Sequence, residues 1–133
     1  MDLLDFYTDG PKSREGVWVA VPGGAELKIR RMDNPDYKAF VQRVRAERGR
    51  RIASDEETRE VLREAVAATI LLDWRGVEFD GEPVDYSAEY AIRAFEALPA
   101  FLDQVVNLAY TAELFREDEI DDAVKSLRPT SGG

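Results

Sequence analysis

The sequence predicts an α+β fold, mainly α, with an N-terminal β-hairpin packed on a bundle of about four to five helices. Three observations predict it: two β-rich runs joined by Pro22-Gly23-Gly24, capping-type side chains at Asn34, Ser54 and Ser87 just ahead of apolar stripes, and Pro99 interrupting the helical second half. Residues 1–127 read as a single domain and residues 128–133 as a flexible tail rich in Pro, Ser and Gly.

Gly16 to Val21 reads Gly-Val-Trp-Val-Ala-Val, and Ala25 to Arg31 reads Ala-Glu-Leu-Lys-Ile-Arg-Arg, a hairpin signal. Alternation in the second run sets Ala25, Leu27 and Ile29 on one face and Glu26, Lys28 and Arg30 on the other. A lone two-stranded ribbon is marginal in water, so the apolar face needs a cover. Asn34-Pro35-Asp36 starts the first covering helix, with a capping side chain and a proline where its missing N–H costs nothing. Tyr37, Phe40, Val41 and Val44 follow at helical spacing, and the helix fades near Gly49.

Ser54-Asp55-Glu56-Glu57 matches the capping-box pattern. From it run Val61, Leu62, Ala65, Val66, Thr69, Ile70 and Leu72, a stripe wide enough to pack against more than one element, so a helix is expected over 55–72. Periodicity then stops. Asp80-Gly81 is a turn dipeptide and Pro83 forbids a central strand, which makes 72–84 a small irregular hairpin or an ordered loop. Ser87 caps a third helix through Tyr90, Ala91, Ala94, Phe95 and Leu98, and Pro99 ends or kinks it. Phe101, Val105, Leu108, Ala112 and Phe115 predict a long helix, and Glu117 to Asp122 opens a short terminal one.

The 133 residues carry 18 Lys and Arg against 27 Asp and Glu, a formal net charge of −9. The charge is uneven: residues 30–51 carry a net +5 and residues 76–124 a net −11. Solvated helix faces account for such a pattern, as would two poles facing different partners. Nucleic acid is not expected as a partner, because phosphate binding favours a basic domain and this one has a pI near 4.6. The absence of His and Cys removes the commonest general base, thiolate chemistry, disulfides and the usual zinc ligands. The acidic run from Asp118 lacks the EF-hand spacing, with Ala123 and Pro129 at the sixth and twelfth positions, so neither a metal nor a cofactor is expected. Ser54 and Ser87 read as caps rather than nucleophiles. The N-terminus lacks a signal-peptide pattern, and the longest apolar stretch, from Ala65 to Leu72, falls far short of the ~20 residues of a membrane span.

Between Trp74 and Tyr86 aromatic and turn residues concentrate. They fit either a hydrophobic plug, with Trp74 and Phe79 folded back over the helices, or a docking loop presented to a partner.

Trp74-Arg75-Gly76-Val77, then Asp80-Gly81-Glu82-Pro83-Val84, then Tyr86-Ser87 and a proline-interrupted helical C-terminus resemble the tail assembly chaperones of long-tailed bacteriophages. Gly16-Val17-Trp18-Val19, Ile29-Arg30-Arg31 and Asn34-Pro35-Asp36-Tyr37 are similar to that family's N-terminal strands and first helix. The resemblance spans roughly residues 14–115 and includes no catalytic motif. It implies a non-enzymatic protein of a phage or prophage, working in the host bacterial cytoplasm and absent from the mature virion. Its partners would be the tape-measure protein, kept soluble, and the tail-tube protein, polymerised around it, with self-association as a further expectation.

A chaperone for a long amphipathic helix needs apolar grooves and a charged exterior. The candidate protein-binding residues are accordingly Leu62, Val66 and Ile70 on the second helix, Trp74 and Phe79 in the connection, and Phe101, Val105, Leu108 and Phe115 on the helix after Pro99. Arg43, Arg45, Arg48, Arg50 and Arg51 form a basic cluster suited to acidic segments of a client or a second copy. Rival readings are a head–tail joining adaptor of the particle, an acidic DNA-mimic-like interaction module, and a small carboxylate enzyme with converging acids in a cleft.

Overall fold

The computed structural model describes residues 15–49 and 54–111, with Val124 and Leu127. Strands β1 (Val17–Ala20) and β2 (Glu26–Ile29) form the expected antiparallel hairpin, with Val19 opposite Leu27 and Trp18 opposite Lys28. Gly23 and Gly24 turn the chain at φ of 99° and 89°, a backbone that side-chain-bearing residues rarely adopt. Leu27 and Ile29 are buried as the alternation predicts. Arg30 departs from it: instead of facing solvent it is buried, and its Nη1 donates to Asp36 at the start of the next helix.

A third strand, β3 (Leu71–Arg75), completes the sheet in the order β1-β2-β3. Sequence reading assigns the start of this segment to a helix, and the reason lies in a bulge. Leu27 pairs with Trp74 and Ile29 with Leu71, so the extra residue of β3 breaks its alternation. Leu71 and Trp74, three apart, therefore share the core face, a spacing that imitates a helical stripe.

Helix α1 (Pro35–Arg48) begins where expected: Asn34 Oδ1 accepts from the Tyr37 amide at 2.9 Å, with Pro35 in the first turn. Asn34 is itself buried, and its Nδ2 donates to the carbonyls of Arg31 at 2.9 Å and Thr69 at 3.1 Å, tying α1 to the end of the next helix. Helix α2 (Asp55–Thr69) is capped by Ser54, whose Oγ accepts from the Glu57 amide at 3.1 Å. It ends at Thr69 rather than Leu72, and the Ile70 carbonyl already accepts from the amide of Arg30 at the end of β2.

Ser87 caps helix α3 (Ala88–Ala97) through the Tyr90 amide at 3.0 Å. Pro99 ends α3 and occupies the first turn of helix α4 (Pro99–Ala109). α4 is shorter than the predicted run to Phe115, because the Tyr110 amide closes the last turn and the Ala109 carbonyl accepts from Met32 at 2.9 Å. Ala112, Phe115, the terminal helix from Glu117 to Asp122 and the tail lie outside the described residues.

Four helices among the described residues thus pack on a small sheet, mixed α+β and mainly α. α1 packs on α2, α2 on α3 and on β3, and α3 on α4. The core at their junction joins Leu27, Ile29, Val66, Ile70, Leu71, Trp74, Phe95 and Val105.

Candidate functional site

Beyond β3 the chain makes a second hairpin, β4 (Glu78–Phe79) with β5 (Glu82–Pro83). Asp80 and Gly81 between them have φ of 52° and 80°, the paired left-handed backbone of a type I′ turn. The Val84 amide donates to the Val77 carbonyl at 2.9 Å, closing the hairpin's root. Trp74 anchors that root: its Nε1 donates to the Val84 carbonyl at 2.8 Å, and its ring meets Tyr86 edge-on at 5.0 Å and Tyr90 at 6.0 Å.

Tyr86 reinforces the anchor, with its hydroxyl against the carbonyls of Leu71 at 2.5 Å and Ala67 at 3.0 Å. Burial, aided by the Asp73 carboxylate, pushes its phenol up to about 12. The group stays protonated at neutral pH and serves as a hydrogen-bond donor.

These contacts leave an open groove of about 710 Å³ between the hairpin, α3 and the start of α4. Trp74, Val77, Phe79, Tyr90, Leu98 and Phe101 supply its apolar surface, and Glu78, Arg93 and Glu96 are its charged members. Phe79 is 66% exposed and Leu98 56%, while Trp74 is only 6% exposed. The groove therefore has a fixed aromatic base and two uncovered apolar side chains at its margin. Its polar lining groups are the side chains of Glu78, Tyr90, Arg93 and Glu96. Among the described residues no cluster of carboxylates is placed to hold a metal ion.

The structure brings together three of the sequence-nominated residues, Trp74, Phe79 and Phe101. Trp74 is the plug, whereas Phe79, expected to fold back in the same reading, points away from the core because the tight turn holds it on a two-residue strand. Val66, Ile70 and Val105 are completely buried and belong to the core rather than to any groove wall. Leu62 is half-buried against that core. Leu108 borders a shallower hollow of about 380 Å³ on α4, beside Asp103, Gln104 and Asn107. Arg43, Arg45 and Arg48 are exposed on α1, with Arg43 over the Phe40 ring at 5.2 Å and Arg48 3.9 Å from Glu64 on α2. Arg50, Arg51 and Phe115 lie outside the described residues.

Leu98 was legible only as the last member of a helical stripe. The signal that reassigns it is the following Pro99, which disfavours helical backbone at the preceding residue. Leu98 accordingly sits at φ −129° and ψ 79°, and its side chain leaves the stripe that Ala91 and Phe95 bury.

Residues 32–126 match the YdaY prophage protein family, which takes in most of the chain, from the end of the first hairpin through all four helices. The chain belongs to the YdaY prophage protein family. Neither a curated protein nor a solved structure matches it. Membership in the YdaY family makes this a prophage-derived protein, which agrees with the phage origin that the resemblance implies. The groove, with Trp74, Phe79, Leu98 and Phe101, lies wholly inside the segment matched to the YdaY family. No helix among the described residues is long and apolar enough to cross a membrane.

Proposed function

We propose that this YdaY-family protein is a non-enzymatic tail assembly chaperone, which binds and solubilises a prophage tape-measure protein and promotes tail-tube polymerisation around it. The observation that carries the reading is the open apolar groove with Phe79 and Leu98 uncovered at its margin. Large apolar side chains left exposed beside a formed groove mark a surface that a partner covers. Helix-in-groove docking is the mode that suits a long amphipathic client. The surrounding acidic surface keeps chaperone and client in solution. Such a protein acts in the host bacterial cytoplasm and is released before the particle matures.

Co-expression with the tape-measure candidate of the same prophage tests the reading. The client should become soluble and co-purify, and an unchanged insoluble client with nothing co-purifying overturns it. Mass spectrometry of mature particles should find no copy of this chain. Its stoichiometric presence there would instead favour a head–tail adaptor, the rival that the acidic, helical composition also fits.

A further inference from the structure

The groove's charge identifies what enters it. Residues 76–98, which form the hairpin, α3 and the connection between them, carry six carboxylates (Glu78, Asp80, Glu82, Asp85, Glu89, Glu96) against one guanidinium, Arg93, a net −5. All seven side chains are exposed. Glu78 on the hairpin and Glu96 on α3 lie within the groove's lining with Arg93 of α3, a net −1 at the apolar surface itself, and the remaining carboxylates of the two elements add to it.

A second copy docked face to face would bring this net −5 against itself, a like-charge juxtaposition that opposes association. The chain's own residues 112–127 carry six acidic and two basic groups, a net −4, and are unsuited for the same reason. We infer that the groove receives a cationic amphipathic helix of a partner, with large aliphatic residues seated along Trp74, Phe79, Leu98 and Phe101 and with Lys or Arg on both flanks meeting the carboxylates. A docked helix presents its anchors to such a groove at i, i+4 and i+7, and the open volume of about 710 Å³ leaves room for them. This rests on the client-binding reading above and states which segments of a client would dock: those whose apolar stripe is edged with positive charge.

The test uses the full chain and two labelled peptides of about 18 residues that share one leucine stripe, one flanked by lysines and the other by glutamates. Fluorescence anisotropy should show the lysine peptide binding at least about tenfold tighter, with the preference shrinking as salt rises. Phe79→Asp and Leu98→Asp, at exposed positions, should each weaken binding about tenfold while circular dichroism shows an intact fold. Equal binding of the two peptides, no binding of either, or binding indifferent to both substitutions overturns the inference. The two readings fail separately. A client solubilised in co-expression without lysine preference removes only the cationic-helix inference, and a lysine-selective groove that leaves the tape-measure protein insoluble removes only the chaperone reading.

Discussion

Trp74 and Phe79 are five positions apart in one aromatic connection, and the structure assigns them opposite tasks. Replacing Trp74 by Phe removes the Nε1–H donated to the Val84 carbonyl at 2.8 Å, a loss of about 1 kcal/mol. It also removes the second ring and with it much of the edge-on contact with Tyr86 at 5.0 Å, about another 1 kcal/mol. The indole is 6% exposed, so little of this is recovered from water, and the total is about 2 kcal/mol. For a domain of this size that corresponds to a fall in Tm of about 8 °C and a urea midpoint lower by roughly 1 M. Phe79→Ala, at a side chain 66% exposed, should change stability by less than about 0.5 kcal/mol. Urea titrations of the three proteins, followed by circular dichroism, measure both quantities. If Trp74→Phe costs under about 0.5 kcal/mol, or if Phe79→Ala costs as much as Trp74→Phe, the division into a fixed base and a free margin is wrong.

Two further outcomes follow from the same contacts. Asn34→Ala takes away the α1 cap and leaves the carbonyls of Arg31 and Thr69 without their donor, so urea denaturation should register a loss of about 3 kcal/mol, with Asn34→Asp between it and the parent because only the cap survives. Tyr86 links stability to alkaline pH. Its folded-state phenol is raised from 10.0 to about 12, so the contribution is whole below pH 10 and is lost as pH climbs toward 12, where the unfolded chain ionises first. In denaturant midpoints measured across that window, Tyr86→Phe should flatten the decline, while costing about 1 kcal/mol at neutral pH through the lost hydrogen bonds to Leu71 and Ala67.

Local rules made much of this fold legible. Asn34, Ser54 and Ser87 each accept the hydrogen bond their positions predict, and Pro22-Gly23-Gly24 and Asp80-Gly81 make the turns their composition demands. Long-range effects were hidden. Nothing in Leu71-Leu72-Asp73-Trp74 announces a strand, because the bulge replaces period two with a spacing of three, and pairing with β2 decides between strand and helix. The end of α4 at Ala109 is equally non-local, set in part by the Met32 amide arriving from the other end of the chain. Of the nominated surface, Trp74, Phe79 and Phe101, chosen for their aromatic character, line the groove, while Val66, Ile70 and Val105 are buried in the core, because a wide apolar stripe does not say which of its members face outward.

The groove itself is a consequence of backbone constraints rather than of leftover apolar surface. An uninterrupted α3 would carry Leu98 onward from Ala91 and Phe95, on the face that the core covers. Pro99 denies position 98 a helical backbone, and the leucine is turned out beside the first turn of α4. On the facing side, β4 and β5 are two residues each, and Phe79, next to the type I′ turn, stays 66% exposed against the described residues. Trp74 holds the two halves in register by bonding to Val84 at the hairpin root and packing at 6.4 Å from Phe101 on α4. The two exposed side chains are thus held beside a stiff base before any partner arrives. A preformed apolar surface of this kind avoids the ordering cost that a flexible loop would meet on binding, so under the proposed helix docking the affinity would depend chiefly on how well that helix matches the groove's shape and charge.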